Sequence, residues 1–355
     1  MAVIEKEAGL WLLEKSWQII DVRSPIEFKQ GHIPSAYNLP LFSDQERHDI
    51  GIVYKKNGPK EAMLLGLQFV GPKLRYFVEE VSQLKKDRSF LVHCWRGGKR
   101  SKSMAWLLAN AGFEINLLHG GYKAYRQMQM EFYSEKKFKI IILGGRTGTA
   151  KTQLLHALEK QGEQIIDMEA LAHHKGSAFG WIGEPEQETN EQFENNLFST
   201  IAELDYERWI WIENESRTIG RNYIPELFWK HIKAASLINV ERDTSFRINH
   251  LMALYQKEDD KALISSFEKI RKRLGHEAAQ NAIDFISVQN YEAAACIALN
   301  YYDKCYDYNL ETNGSPKIIK LQFASQGNEA VVAVSYTHLR AHETDSYLVC
   351  RLLLE

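Results

Sequence analysis

Two short stretches hold the residues whose types and spacing can do chemistry. In "VHCWRGGKRS", residues 92–101, one cysteine is followed by two glycines and three cations. The apolar run Phe90, Leu91 and Val92 predicts a buried strand. Residues 101–110, with Ala105, Leu107, Leu108 and Ala109 apolar and Gly112 just past the end, predict a helix. Cys94 then stands at a strand-to-helix turn. Backbone N–H groups, a helix N-terminus and Arg96, Lys99 and Arg100 there favour a thiolate with an anion beside it. A lone cysteine is more often a small buried hydrophobe, but the glycines and cations argue for a nucleophile. In "GGRTGTAKT", residues 144–152, an apolar strand ending at Leu143 runs into a glycine-rich turn that opens a helix. This is the context of a phosphate-binding P-loop, with Gly145, Gly148, Lys151 and Thr152 in register. Lys151 is placed for terminal phosphates and Thr152 for a magnesium ion. Ala150 stands where the pattern has glycine, and its methyl is expected to crowd the loop or the ligand.

These loops need strands and helices to hold them. Around the first, a strand is predicted at 18–22, a helix from Pro25 and a strand at 114–118. Around the second, strands are predicted at 139–143, 164–166, 209–212 and 236–240, with helical stretches between. Composition shifts at the polar stretch "YSEKKFK", residues 133–139. Both halves alternate strand and helix, so both are expected to be α/β with a mostly parallel sheet, the second with a helical C-terminal part. The expected domains are 8–132 and 137–333.

Residues 334–355 are set apart. Val334 to Thr344 and Leu348 to Glu355 read, codon by codon, as the translation of a transposase-type sequencing adapter, so this tail is excluded from fold reasoning as not native. The formal net charge is −2, which excludes a globally basic nucleic-acid binder. Local basic runs at 85–88, 136–139 and 269–273 remain as candidate phosphate contacts. Cys94, Cys296 and Cys305 have no spacing that suggests a disulfide framework or a zinc site. No apolar run approaches membrane-spanning length. A reducing cytoplasm is the expected compartment, and it suits a reactive thiol.

"DVRSPIEFKQGHIPSAYNLP", residues 21–40, resembles the opening motif of rhodanese domains, and "HCWRGGKRS" resembles their active-site loop. Five residues separate Cys94 from Arg100. That is the spacing of the related cysteine phosphatases and one more than the usual sulfurtransferase loop, so the cradle should hold a larger anion. A phosphatase or sulfurtransferase with a nucleotide-binding domain is therefore the alternative reading. Three further stretches join the pattern: "IIDMEALAHHKGSAFG" (165–180), "WIWIENESRTIG" (209–220) and "YYDKCY" (301–306). In this order, with the rhodanese half and the P-loop, they resemble the bacterial tRNA 2-selenouridine synthases.

The resemblance implies a transferase acting on tRNA. It implies replacement of the sulfur of wobble 2-thiouridine by selenium from selenophosphate, through a geranylated intermediate made with geranyl diphosphate. Cys94 would carry selenium, and Arg96, Gly97, Gly98 and Arg100 would cradle selenophosphate. Gly145, Gly148, Lys151 and Thr152 would bind phosphate groups of ATP, GTP or geranyl diphosphate, with possible magnesium. Lys99, Lys102, Lys136, Lys137 and Lys139 are expected to line a path for the RNA. Plainer roles are expected elsewhere. Asp21 and His32 fix loops, Asp167 contacts magnesium or caps a helix, and Trp209 and Trp211 are core. His173 and His174 are polar loop residues, and Arg242 and Arg247 either close over phosphates or, as single arginines near a strand end usually are, stand as surface charges. No metal ligand set is assigned, because Asn214 interrupts the acidic pair Glu213 and Glu215.

Overall fold

The structure, a computed structural model, describes residues 4–6, 17–84, 89–255, 257–312 and 318–323. The tail 334–355 and the basic run 85–88 lie outside the described residues. The chain forms two compact units, one of Met1–Glu135 with Glu191–Ala202, the other of Lys136–Asn190 with Glu203–Glu355. The polar stretch at 133–139 is thus where the chain passes from one unit to the other, but one helix from the second half returns to the first.

The first unit runs β1 (Ile4–Lys6), β2 (Gln18–Asp21), α1 (Pro25–Gln30), β3 (Tyr37–Asn38), α2 (Asp44–Asn57), α3 (Pro59–Val70) and α4 (Leu74–Gln83). It continues through β4 (Phe90–His93), α5 (Lys99–Asn110), β5 (Ile115–Leu118) and α6 (Gly121–Glu135). The strands form one parallel sheet in the order β1-β5-β4-β2-β3. A parallel sheet covered on both faces needs central strands that are apolar throughout. All four residues of β4 are buried accordingly, and α5 lays Met104, Ala105 and Leu108 into the same core.

The second unit runs β6 (Lys139–Gly145), α7 (Lys151–Lys160), β7 (Gln164–Ile166) and α8 (Met168–Ala172). After α9 (Asn190–Ala202) come β8 (Trp209–Glu213), β9 (Thr218–Ile219), β10 (Asn222–Tyr223), α10 (Glu226–Lys233) and β11 (Ser236–Arg242). Four helices follow, α11 (Thr244–Tyr255), α12 (Asp260–Leu274), α13 (His276–Ser287) and α14 (Tyr291–Thr312), before β12 (Ile318–Phe323). The sheet is parallel, in the order β12-β11-β6-β8-β7, with β6 at its centre. Trp211 is fully buried beside Ile141 and Leu143, and Trp209 packs against the same cluster. The helical part has a second core of Phe179, Leu263, Phe267, Ile270 and Ile286. Among the described residues, no helix is long and apolar enough to cross a membrane.

Helix α9 belongs to the first unit from Glu191 onward. Its buried Phe198 meets Tyr125, Phe132 and Tyr133 of α6 edge-on. Arg126 of α6 donates to Asn195 and pairs with Glu194. The packing face of this helix is aromatic and amide-rich, which explains why strand and helix alternation alone assigns it to the second half.

Candidate active site

Open parallel sheets bind ligands beyond the carboxyl ends of their central strands, and both candidate loops lie there. In the first unit β4 ends at His93 and Cys94 follows, 3% exposed. Gly97 turns the loop with φ 65°, and Gly98 is the N-cap of α5. The loop's other face is held by α6, where Tyr122 N–H donates to Cys94 O and Lys123 N–H to Trp95 O, each at 2.9 Å. That approach requires Gly121, at φ 61°, because a Cβ there would stand 2.3 Å from Cys94 O. The sequence carries this in "HGGYKAY", a signal the motif reading passed over.

Cys94 Sγ lies 3.2 Å from Ser101 Oγ. Ser101 is fully buried on the first turn of α5, so one hydroxyl is fixed beside the sulfur. Arg100 is gripped by Glu27, with Nη1 to Oε2 at 2.5 Å and Nη2 to Oε1 at 3.1 Å. Burial alone would raise the Glu27 carboxyl, but the Arg100 guanidinium outweighs it and holds it below the usual range. Glu27 also accepts from Ser24 N–H at the start of α1. It therefore ties the "DVRSPIEF" segment to the cysteine loop, a link that no local pattern announces. Arg96 is exposed at the mouth of the loop and Gly98 opens onto free space.

Beneath the loop, Asp21 accepts from Arg23 Nε and Nη2, and Arg23 lies 3.9 Å over the Tyr122 ring. Burial works against the Asp21 charge, but His93 and Arg23 together keep its pKa below the ordinary value. His32 stacks on Phe28 and reaches Phe28 O, fixing its loop as expected.

In the second unit β6 ends at Gly145, and Lys151 opens α7. The loop is held on several sides. Gly145 N–H donates to Tyr306 Oη at 2.7 Å, Arg146 forks onto Asp307, and Arg247 donates to Thr147 O while pairing with Asp303. Arg247 is 3% exposed and Arg242 is 8% exposed under Phe246. Neither is the surface charge expected from sequence; Arg247 is a brace of the loop.

Lys151 Nζ donates to Gly145 O at 3.2 Å. Burial opposes its charge, yet the carboxylates of Glu213, Glu215 and Glu169 more than compensate and raise its pKa. Those three carboxylates present oxygens within 4.8 Å of one another. Burial, then repulsion from Glu215 and Glu213, pushes Glu169 up to about 9. Burial likewise raises Glu213 to about 7, against the pull of Lys151, and raises Glu215. Glu213 accepts from Thr152, while its buried Oε1 has no hydrogen-bond partner. An orphaned carboxylate oxygen beside a threonine hydroxyl and two further carboxylates fits a divalent cation. Asn214 thus separates Glu213 and Glu215 in sequence without separating them in space. Glu169, two residues after Asp167, is the member that sequence reasoning missed. Asp167 itself caps α8 by accepting from Ala170 N–H and also meets His156 Nε2 at 2.9 Å. His173 and His174 are not among these ligands.

Ala150 lies in the left-handed region, at φ 63° and ψ 38°, and is 5% exposed. Its methyl lines the cavity, so the cost lies in the backbone, where a side chain at this conformation loses roughly 1–2 kcal/mol. Ala150→Gly should therefore stabilise the unit by about 1 kcal/mol and raise its melting temperature by roughly 2–4 °C. Calorimetric unfolding reads this directly, and a lowered midpoint would refute the strain.

The P-loop opens into a cavity of about 570 Å³. One end is polar, with Lys151, Thr152 and the three glutamates. Phe179, Leu254, Leu263 and Phe267 give the lining an apolar stretch, and Lys175, Ser177, Glu184 and His250 add polar groups to it. The basic residues proposed as an RNA path are partly engaged locally. Lys139 donates to Glu207 O, Lys136 lies 5.5 Å over Tyr206, and in the run 269–273 Arg271 pairs with Glu268.

Known proteins share both halves. Residues 6–128 match the rhodanese-like domain family and residues 138–338 the tRNA 2-selenouridine synthase AAA domain family. The tRNA 2-selenouridine synthase of Sulfurovum sp. (strain NBC37-1) is 35% identical over 337 residues, spanning 84% of this chain and 90% of that one. That of Hydrogenovibrio crunogenus is 34% identical over 332 residues, again spanning 84% and 90%. A rhodanese-related protein of Thermoplasma volcanium, of known structure, is 21% identical with a TM-score of 0.24, over 35% of this chain and 92% of that one. With the cysteine loop in one unit, the P-loop in the other and relatives matching across most of the chain, this protein belongs to the tRNA 2-selenouridine synthase family.

Proposed function

We propose that the protein converts wobble 2-thiouridine of tRNA into 2-selenouridine in two transfers, one at each loop. The observation that carries the reading is the pairing, in one chain, of a buried cysteine on an anion-binding loop with a phosphate cradle that opens into an apolar cavity. In the second unit, Lys151 and the loop N–H groups receive the diphosphate of geranyl diphosphate, and the apolar wall receives its tail. The 2-thiouridine sulfur attacks the allylic carbon, the carbon–oxygen bond breaks and diphosphate leaves. A magnesium ion held by Thr152 and Glu213 would neutralise charge on that leaving group. Phe179, Leu254, Leu263 and Phe267 give a prenyl tail an apolar surface to bury against, which supports a prenyl diphosphate as the ligand.

In the first unit, Arg96, Gly97, Gly98 and Arg100 cradle selenophosphate beside Cys94, whose thiolate attacks the phosphorus and displaces selenide. The selenide attacks C2 of the geranylated base and geranyl thiol leaves, since a thioether sulfur leaves more readily than a thiocarbonyl sulfur; water then clears phosphate from the Cys94 sulfur. The Ser101 hydroxyl, which donates to Gly98 O at 3.2 Å, lies equally close to the Cys94 sulfur and can turn its proton toward charge there. The wobble base must be splayed from the anticodon loop to reach either loop. The thiol chemistry suits a reducing, cytoplasmic compartment.

Mass spectrometry of wobble nucleosides tests this directly. A thiouridine-containing tRNA incubated with protein, geranyl diphosphate and selenophosphate should yield geranylated 2-thiouridine and then 2-selenouridine. Turnover of an aryl phosphate that depends on Cys94, with no tRNA product, would instead establish the phosphatase reading.

A further inference from the structure

The apolar part of the cavity has a measurable length. Helix α14 contributes Tyr306, Tyr302, Ala298, Ala295, Ala294 and Tyr291 to the lining, spaced so that they form one face of the helix. Tyr306 marks the phosphate end through its contact with Gly145 N–H. Tyr291 marks the far end, where its hydroxyl donates to Asp260 at the start of α12 at 3.0 Å. At 1.5 Å rise per residue the lined face is roughly 22 Å long.

An extended chain advances roughly 1.1 Å per bond, as a strand does over the three bonds of each residue. From its outer phosphate oxygen, geranyl diphosphate has about twelve bonds and reaches roughly 13 Å; a chain one isoprene unit longer reaches roughly 18 Å. Ala298 stands roughly 12 Å from Tyr306 along the helix and Ala295 roughly 16 Å. The ten-carbon tail therefore ends beside Ala298, and the space beyond it, floored by Ala295 and Ala294, is left for more carbon.

Resting on the reading of this cavity as a prenyl diphosphate site, we propose that it accepts a fifteen-carbon allylic diphosphate as well as a ten-carbon one, with Ala295 leaving room for the third isoprene unit. Helical side chains lean toward the helix N-terminus. A phenylalanine at 295 would thus fill the space toward Tyr291 and spare the shorter tail. At 298 it would lean into the path of the tail's end.

Calorimetric titration of the full chain with inorganic diphosphate, geranyl diphosphate and farnesyl diphosphate tests this. The native protein should bind farnesyl diphosphate at least as tightly as geranyl diphosphate. Ala295→Phe should weaken farnesyl diphosphate roughly tenfold or more while leaving geranyl diphosphate within about threefold, and Ala298→Phe should weaken both. Ala295→Leu should give a smaller loss in the same direction, and unchanged affinity for inorganic diphosphate certifies that each variant is folded. Rejection of farnesyl diphosphate by the native protein, or equal losses for both ligands in Ala295→Phe, overturns the length assignment alone. If neither prenyl diphosphate binds more tightly than inorganic diphosphate, the prenyl reading of the cavity falls and the assignment with it.

Discussion

Cys94→Ser should abolish selenium incorporation, by on the order of a thousandfold or more, as expected for loss of a nucleophile. Geranyl transfer should stay within about threefold of the native rate, because the proposed geranyl diphosphate site lies in the second unit and makes no use of the thiol. The substitution is nearly isosteric, keeps a partner for Ser101 Oγ and leaves the N–H cradle and the Glu27–Arg100 pair in place. Any loss then reports on sulfur chemistry and not on folding. Accumulation of geranylated 2-thiouridine in the variant, read by nucleoside mass spectrometry, is the expected signature. Equal loss of both products in a variant with native thermal unfolding would overturn this division of labour.

Lys151→Ala should weaken geranyl diphosphate roughly tenfold to a hundredfold, the effect of losing a charge-assisted hydrogen bond worth ~1.5–3 kcal/mol. The local electrostatics add a dependence on pH. In the native protein Lys151 offsets Glu169, Glu213 and Glu215. Without it the anionic ligand meets those carboxylates directly, and they repel it only when ionised. Their pKa values are already raised, Glu213 to about 7 and Glu169 to about 9, and loss of the cation raises them further. The defect should therefore be smallest near pH 6, where protons take the place of the lysine, and should grow as pH rises toward 9. Titrations at both ends of that range check the sign. Unchanged affinity at every pH would place the phosphate site elsewhere.

Much of the fold was legible in one dimension because it rests on local chemistry. Continuous apolar runs at 90–92 and 140–143 read as buried strands, and both stand at the middle of parallel sheets. Glycines just before Lys99 and in the turn before Lys151 mark where a strand turns sharply into a helix. Hence Cys94, Gly145, Gly148, Lys151 and Thr152 could be placed at the carboxyl ends of strands from spacing alone. The brace residues were not legible. Arg247, a single cation near a strand end, is buried because Asp303 and Thr147 O arrive from elements distant in sequence, and Arg242 lies under Phe246 of the helix that follows its strand. Nothing near Arg247 in the chain hints at α14.

By itself the sequence determined the two loops, the strand-helix alternation and the order of the halves, since each follows from neighbours within a turn or a strand. Only the tertiary structure decided how the sites are finished. It brought Glu27 onto Arg100 and Gly121 against Cys94 O, and it added Glu169 to a carboxylate cluster that Asn214 breaks only in sequence. It also carried α9 back to the first unit and laid one face of α14 along the cavity at the glycine-rich loop. The reason is physical. A local pattern specifies the conformation of a segment, whereas a charge's partner and a cavity's wall depend on which segments pack together, and that is settled by burial summed over the whole chain.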